Sequence, residues 1–224
     1  MDRLQRITLL FGKNAIAKLQ KSTVMVVGCG AVGSFAIESL ARSGIGHLIL
    51  IDFDNVEESN INRQLFALES TIGKPKVMVA AKRIADINLD IKIDTLNMFF
   101  DENTKLKVKP DFVIDAIDTV PSKIALYKWC FDNNIPFISS MGAARKTDLT
   151  KIKIDKISKT TVCPLASKIR HKVRELKIKD FPVVYSTEVA KPQPNGGREF
   201  GSVITVTGTF GLMLSDFVIK KLIS

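Results

Sequence analysis

The chain of 224 residues has only three cysteines, Cys29, Cys130 and Cys163. They lie far apart and form no CxxC pair, which excludes a disulfide framework and leaves no sign of a zinc knuckle. Cys29 falls in an apolar strand-turn and reads as a small core residue. Such cysteine usage fits a reducing, cytoplasmic setting. Long apolar runs are missing too. The longest, from Gly201 to Leu214, contains three threonines and is followed by Asp216, Lys220 and Lys221. It falls short of the ~20 residues a spanning helix needs, so it predicts a buried helix, with peripheral membrane association as the lesser alternative. The N-terminal segment mixes charges with an amphipathic pattern and lacks the apolar centre of a secretory signal. Internal repeats and low-complexity segments are also lacking.

What is present is an ordinary globular composition, with 46% hydrophobic and 25% charged residues. At roughly 150 residues per domain, this length predicts one domain with an elaboration. The formal net charge is +10, and its placement is uneven. Between Lys151 and Asp180 there are ten Lys/Arg against three Asp/Glu. That excess suits an anionic partner such as nucleic acid, and equally a solvated helix face.

Strand and helix patterns alternate, which predicts a mostly parallel sheet wrapped by helices. Thr23–Gly28 and His47–Asp52 are short, β-branched apolar runs of the buried-strand type. Ser34–Ser43 reads as a helix ended by Gly44 and Gly46. Lys76–Asn88 places Val77, Ala80, Ala81 and Ile84 at helical spacing. Ile91–Leu96, Asp111–Ile117 and Ile135–Met141 read as strands, and Pro121–Asp132 as a helix with proline in its first turn. After Gly142 the texture changes. Lys151–Ile157 alternates as a half-exposed antiparallel strand. Pro164–Lys177 predicts a helix with Leu165, Ile169, Val173 and Leu176 on one face. Phe181–Gly201, rich in proline and glycine, reads as an irregular crossing loop.

Gly28-Cys-Gly30-Ala-Val-Gly33 follows a strand and opens a helix, the setting in which glycines let the backbone approach a phosphate. Asp52 closes the second strand, where an acid can bond a ribose hydroxyl. This much fits NAD, or a turn that merely packs. The next residues separate the nucleotides. Arg63 and Lys76 are strong cations near the glycine turn, suited to charge that shifts onto phosphates during transfer. Asp118 and Thr119 end the Asp111–Ile117 strand on the same carboxyl edge. A carboxylate there can hold magnesium against phosphates, or cap the helix before Pro121.

The order GxGxxG, Asp52-Phe-Asp54, Ser59-Asn-Ile-Asn-Arg-Gln64, Gly73-Lys-Pro-Lys76 and Asp115-Ala-Ile-Asp118 resembles the ThiF/MoeB-type superfamily, which includes the ubiquitin-activating enzymes. The resemblance implies an α/β, Rossmann-like sheet with antiparallel strands and a crossover region in its C-terminal part. It also implies adenylation of a carboxylate. ATP contacts then fall on Gly28, Gly30, Ala31, Gly33, Asp52, Asp54, Asn60, Asn62, Arg63, Gln64, Lys76, Asp118 and Thr119. Asp52 would bind ribose, Arg63 and Lys76 the phosphates, and Asp118 magnesium; Arg63, Lys76 and Asp118 are the expected catalytic set. Residues 1–145 would form the nucleotide-binding core of a single domain, and 146–224 a part serving tRNA contact and dimerisation.

Lacking CxxC pairs and a rhodanese extension, the chain departs from the branch that activates sulfur carriers. It is most similar to the branch of tRNA threonylcarbamoyladenosine dehydratases. Arg3–Gly12, Asp115–Asp118, Gly142-Ala-Ala, Asp148-Leu-Thr, Ser158-Lys-Thr with Pro164-Leu-Ala, Tyr185–Glu188 and the tail from Gly201 carry that likeness. It implies that ATP activates the carboxylate of threonylcarbamoyladenosine at position 37 of tRNA and that the modification then closes a ring on itself. An internal nucleophile needs no catalytic cysteine, so Cys163 reads as incidental. Lys168, Arg170, Lys172 and Arg174 would serve the tRNA phosphates. A homodimer is implied, DNA is not, and a monovalent cation and a sulfur-relay partner stay open. Three rivals stand beside this reading: an adenylyltransferase for a ubiquitin-like sulfur carrier, an NAD-binding Rossmann protein, and a non-catalytic RNA-binding scaffold.

Overall fold

The computed structural model describes residues 2–192 and 200–224. Two short helices, α1 (Gln5–Phe11) and α2 (Lys13–Lys21), precede the first strand. Then come β1 (Thr23–Val27), α3 (Gly33–Arg42), β2 (His47–Ile51), α4 (Lys76–Ile87), β3 (Lys92–Leu96), β4 (Phe112–Asp115), α5 (Val120–Asp132) and β5 (Phe137–Ser140). The C-terminal part adds β6 (Ile152–Lys156), α6 (Pro164–Glu175), β7 (Pro182–Ser186) and α7 (Ile204–Ile223). Among the described residues seven strands join one sheet in the order β3-β2-β1-β4-β5-β7-β6, and of these β6 alone runs antiparallel, against β7.

The strand sequences explain the layering. In β1, Val24 and Val26 face one core while Met25 and Val27 face the other, as the two-residue side-chain period requires. The first core includes Ile37 and Leu40 of α3, Ala80 and Ile84 of α4, and Phe210 and Leu214 of α7. The second gathers Leu126 and Cys130 of α5 with Ile169 and Val173 of α6. A strand covered on both faces reads as a near-continuous apolar run, which is why β1 and β2 are visible in the sequence.

Two expectations are corrected. Phe181–Gly201 is not wholly a loop: Pro182–Ser186 forms β7, inserted between β5 and β6. Pro182 sits at the first strand position, where its missing N–H is tolerated, and Val183, Val184 and Tyr185 are fully buried. Pro194, Gly196 and Gly197 lie outside the described residues. The helix expected to reach Lys177 ends at Glu175, leaving Leu176 exposed. Among the described residues no helix is long and apolar enough to cross a membrane.

Chain order reverses between β1 and β4: β2 and β3 extend the sheet one way, β5 the other. The carboxyl edge at such a point is where open α/β sheets bind ligands.

Candidate active site

A cavity of about 660 Å³ opens at this edge. Its floor is the glycine turn. Gly28 has φ of 97°, and a Cβ there would lie 2.6 Å from the carbonyl oxygen of Ala116. A Cβ on Gly33 would lie 1.7 Å from the carbonyl oxygen of Gly28. These two glycines serve packing: they press the turn onto the loop that carries Asp118. Gly30 differs, since a Cβ there would meet nothing nearer than Gln64 Nε2 at 3.7 Å. Gly28, Gly30, Ala31 and Gln64 line the cavity, whereas Gly33 does not.

Asp52 joins the ends of β1 and β2. Its Oδ2 accepts the Cys29 N–H at 2.6 Å, and its Oδ1 accepts the Asp54 N–H at 2.9 Å. Burial raises its pKa, opposed by those two N–H donors and by Lys76. The carboxylate lines the cavity with acceptor capacity left for a hydroxyl donor. Asp54 turns to Lys76, whose Nζ lies 2.7 Å from its Oδ2. Lys76 is buried, and its backbone N–H donates to the Asp54 carbonyl at 2.9 Å. Asp54 therefore aims the lysine at the start of α4.

Arg63 Nη1 donates to the carbonyl of Ser59 at 2.6 Å and to Asn62 Oδ1 at 2.8 Å. Among the described residues its remaining donors have no partner, and the side chain lines the cavity. Asn60 and Asn62 do not line the cavity. Asn60 is buried and its Oδ1 accepts the Glu57 N–H at 3.3 Å, closing the turn before Arg63. Asn62 Nδ2 reaches the Ser202 carbonyl at 3.4 Å. Both asparagines shape the segment that presents the arginine. Asp118 and Thr119 line the opposite wall, and Asp118 is exposed. Asp118 does not cap α5. Thr119 occupies that position and makes no side-chain cap bond, with Pro121 in the first turn.

Sequence reasoning missed part of the lining. Phe53 and Phe99 meet edge to face at 4.9 Å beside Asp52, and Met98 and Phe100 continue that apolar wall. The Met98-Phe-Phe100 run just past β3 was the available signal. Further lining, here termed the second lobe, comes from Ser140 to Lys146 with Cys163, Lys168, Phe200 and Ser202. Cys163 is buried at the N-cap of α6, where its Sγ accepts the Ala166 N–H at 3.5 Å. Of the four basic residues assigned to tRNA, Lys168 alone lines the cavity. Arg170 is held back by the Thr160 carbonyl at 2.8 Å and by the Thr160 hydroxyl. Lys172 pairs with Glu175 at 2.8 Å, and Arg174 is exposed.

A glycine turn, a buried aspartate, two cations and an exposed carboxylate around one cleft define a nucleotide-binding α/β protein. The ThiF family model matches residues 3–224, and the chain belongs to that family. It is 47% identical over 192 residues to the tRNA threonylcarbamoyladenosine dehydratase of Bacillus subtilis, covering 84% of this chain and 76% of the relative. The crystal structure of the Escherichia coli tRNA N6-threonylcarbamoyladenosine dehydratase with AMP superposes with a TM-score of 0.92 at 36% identity, covering 98% of this chain and 93% of that one. The same enzyme with ATP gives 0.92 at 35%, with the same coverage. The molybdopterin-synthase adenylyltransferase of Escherichia coli is 35% identical over 134 residues, covering 59% of this chain and 54% of that protein.

Proposed function

We propose that this chain is an ATP-dependent tRNA threonylcarbamoyladenosine dehydratase acting on adenosine 37. The single observation carrying the proposal is that Arg63, Lys76 and Asp118 line one cavity with Asp52, Gly28, Gly30 and Ala31. The substrate carboxylate oxygen attacks the α-phosphorus of ATP, the bond to the β-phosphate breaks, and pyrophosphate leaves. A nucleophile within the same modification then attacks the acyl-adenylate carbonyl, loses its proton, and expels AMP. Arg63 and Lys76 place fixed positive charge where negative charge accumulates, the role of a preorganised donor. Asp52 orients the nucleoside end through a ribose hydroxyl. Because the nucleophile is tethered, positioning alone contributes several kcal/mol, and no cysteine thiolate is needed.

Asp118 fits a magnesium ion. It is a lone exposed carboxylate on the cavity wall, and among the described residues no group of three His, Cys, Asp or Glu is gathered to cage a metal. Magnesium bound by one carboxylate takes its other positions from phosphates and water, and it would neutralise phosphate charge there.

Several observations support a nucleic-acid acid over a small protein's C-terminus. Lys168, Lys172 and Arg174 are exposed on α6, whose Lys168 lines the cavity, and the likeness to the dehydratases runs through that part. In this reading residues 1–145 hold the nucleotide, residues 146–224 face the tRNA, and the active form is a cytoplasmic homodimer. The test is mass spectrometry of tRNA nucleosides after incubation with protein and ATP. The cyclised nucleoside should appear with stoichiometric AMP and pyrophosphate. Unchanged threonylcarbamoyladenosine would refute the proposal.

A further inference from the structure

Lys146 is 4% exposed and has no carboxylate within ion-pair distance among the described residues. Its Nζ donates to the carbonyls of Ser186 at 3.2 Å and Glu188 at 3.0 Å, which among the described residues leaves one N–H for the cavity it lines. The nearby Glu188 carboxylate is otherwise engaged. It accepts the Thr147 N–H at 3.0 Å and the Asp148 N–H at 2.9 Å. Burial lowers the Lys146 pKa, with Cys163 and Glu188 opposing. A buried ammonium held by carbonyls alone is costly unless an anion completes its shell.

The surroundings indicate which anion. Arg145, Lys146 and Ser202 form the shared wall between the main cavity and an adjoining hollow of about 270 Å³. Arg145 has φ of 59°, unusual for a residue with a side chain. Two main-chain bonds impose it: Arg145 N–H to the Gly201 carbonyl and Lys191 N–H to the Arg145 carbonyl, both 2.8 Å. That conformation carries the Arg145 guanidinium over the Phe200 ring, 5.2 Å from its centroid. Phe200 is itself 61% exposed at the cavity wall. An exposed aromatic ring with a guanidinium over it is the kind of surface on which an unstacked RNA base stacks.

We propose that this second lobe is the acceptor subsite: Lys146 donates to the carboxylate to be activated, while Arg145 and Phe200 hold the base that bears it. The inference rests on the adenylation reading above and names the residues that would select its acid substrate. Its test uses the full chain and two anticodon stem-loop RNAs, one bearing threonylcarbamoyladenosine and one bearing unmodified adenosine. The wild type should prefer the acid-bearing RNA. Lys146→Gln should lower that preference about ten-fold, the size of one charge-assisted hydrogen bond, and raise KM for the RNA with ATP affinity unchanged. Lys146→Arg should restore part of it. Phe200→Ala should weaken both RNAs alike. A preference that survives Lys146→Gln overturns the assignment; if that variant does not fold, unaltered affinity of Phe200→Ala for both RNAs overturns it instead. A wild type that releases no pyrophosphate with the acid-bearing RNA refutes the parent function, a result distinct from either.

Discussion

Lys123 Nζ lies 2.7 Å from Asp115 Oδ2, and neither side chain is exposed. The same oxygen accepts from the Tyr127 hydroxyl at 2.8 Å and the Ser139 hydroxyl at 2.5 Å, while Lys123 also donates to the Ser140 carbonyl at 2.8 Å. The other carboxylate oxygen accepts the Ile117 N–H at 3.0 Å, one residue before Asp118. The network thus ties the ends of β4 and β5 and fixes the loop that presents Asp118. Lys123→Met would strand a buried carboxylate with three hydroxyl and amide donors around it. It should cost about 3–5 kcal/mol, the usual penalty for removing one partner of a buried pair. Urea unfolding measures it, and a loss below about 1 kcal/mol would contradict this account.

Arg63 and Lys76 are expected to act where charge develops, so alanine at either should lower ATP–pyrophosphate exchange by roughly 10²–10³-fold. Asp54→Asn should be milder, because Lys76 keeps its backbone bond to the residue 54 carbonyl and loses only an ionic partner that is itself half exposed. Near-normal exchange in Arg63→Ala would remove the phosphate role given to that side chain.

The legible part of the fold consists of elements whose signal is local. β1, β2 and β4 announce themselves as β-branched runs because both faces are covered, and Gly28–Gly33 and Asp52 announce a nucleotide turn because chemistry demands those residue types at that spacing. β7 is hard to read because Pro182 and the later prolines and glycines dilute a run of only three buried apolar residues, Val183–Tyr185. Asn60 and Asn62 share a motif with Arg63 and Gln64, yet only the latter two line the cavity, a difference the motif does not encode. Arg170 counts as one more positive charge until Thr160, ten positions earlier, is seen to hold it. Arg145, Lys146 and Phe200 carry no local signature. They become neighbours through the long-range bond between Arg145 and Gly201, which no periodicity encodes.

Glu188 ties Thr147 and Asp148, next to Lys146, and that tie is expected to weaken in acid. The Asp148 N–H first, then the Thr147 N–H and hydroxyl, hold its carboxyl below the usual carboxylate range. A group with a depressed folded pKa contributes stability that is complete above its unfolded value, about 4.3 for glutamate, and lost as pH falls through the folded value. The melting temperature should therefore decline below about pH 4.3 more steeply in the wild type than in Glu188→Gln. In the variant the amide cannot titrate, and it turns an N–H₂ toward donors at residues 147 and 148. Parallel acid limbs in the two proteins would show that Glu188 does not couple this loop to pH.

The exposed face of α6 makes a prediction that separates charge from chemistry. Lys168 and Lys172 are exposed, whereas Arg170 is anchored to Thr160. Each lysine that meets a tRNA phosphate releases counterions, so log affinity falls with log salt by about 0.7–0.9 per contact. Lys168→Ala with Lys172→Ala should flatten that slope by roughly 1.4–1.8 and leave ATP binding intact. Arg170→Ala should instead lower thermal stability, by releasing Thr160 from α6, and change the slope less. Filter binding across a salt series gives all three slopes. A double variant with the wild-type slope would place the tRNA elsewhere, and a larger change from Arg170→Ala than from the lysine pair would mean that its guanidinium leaves Thr160 when RNA arrives.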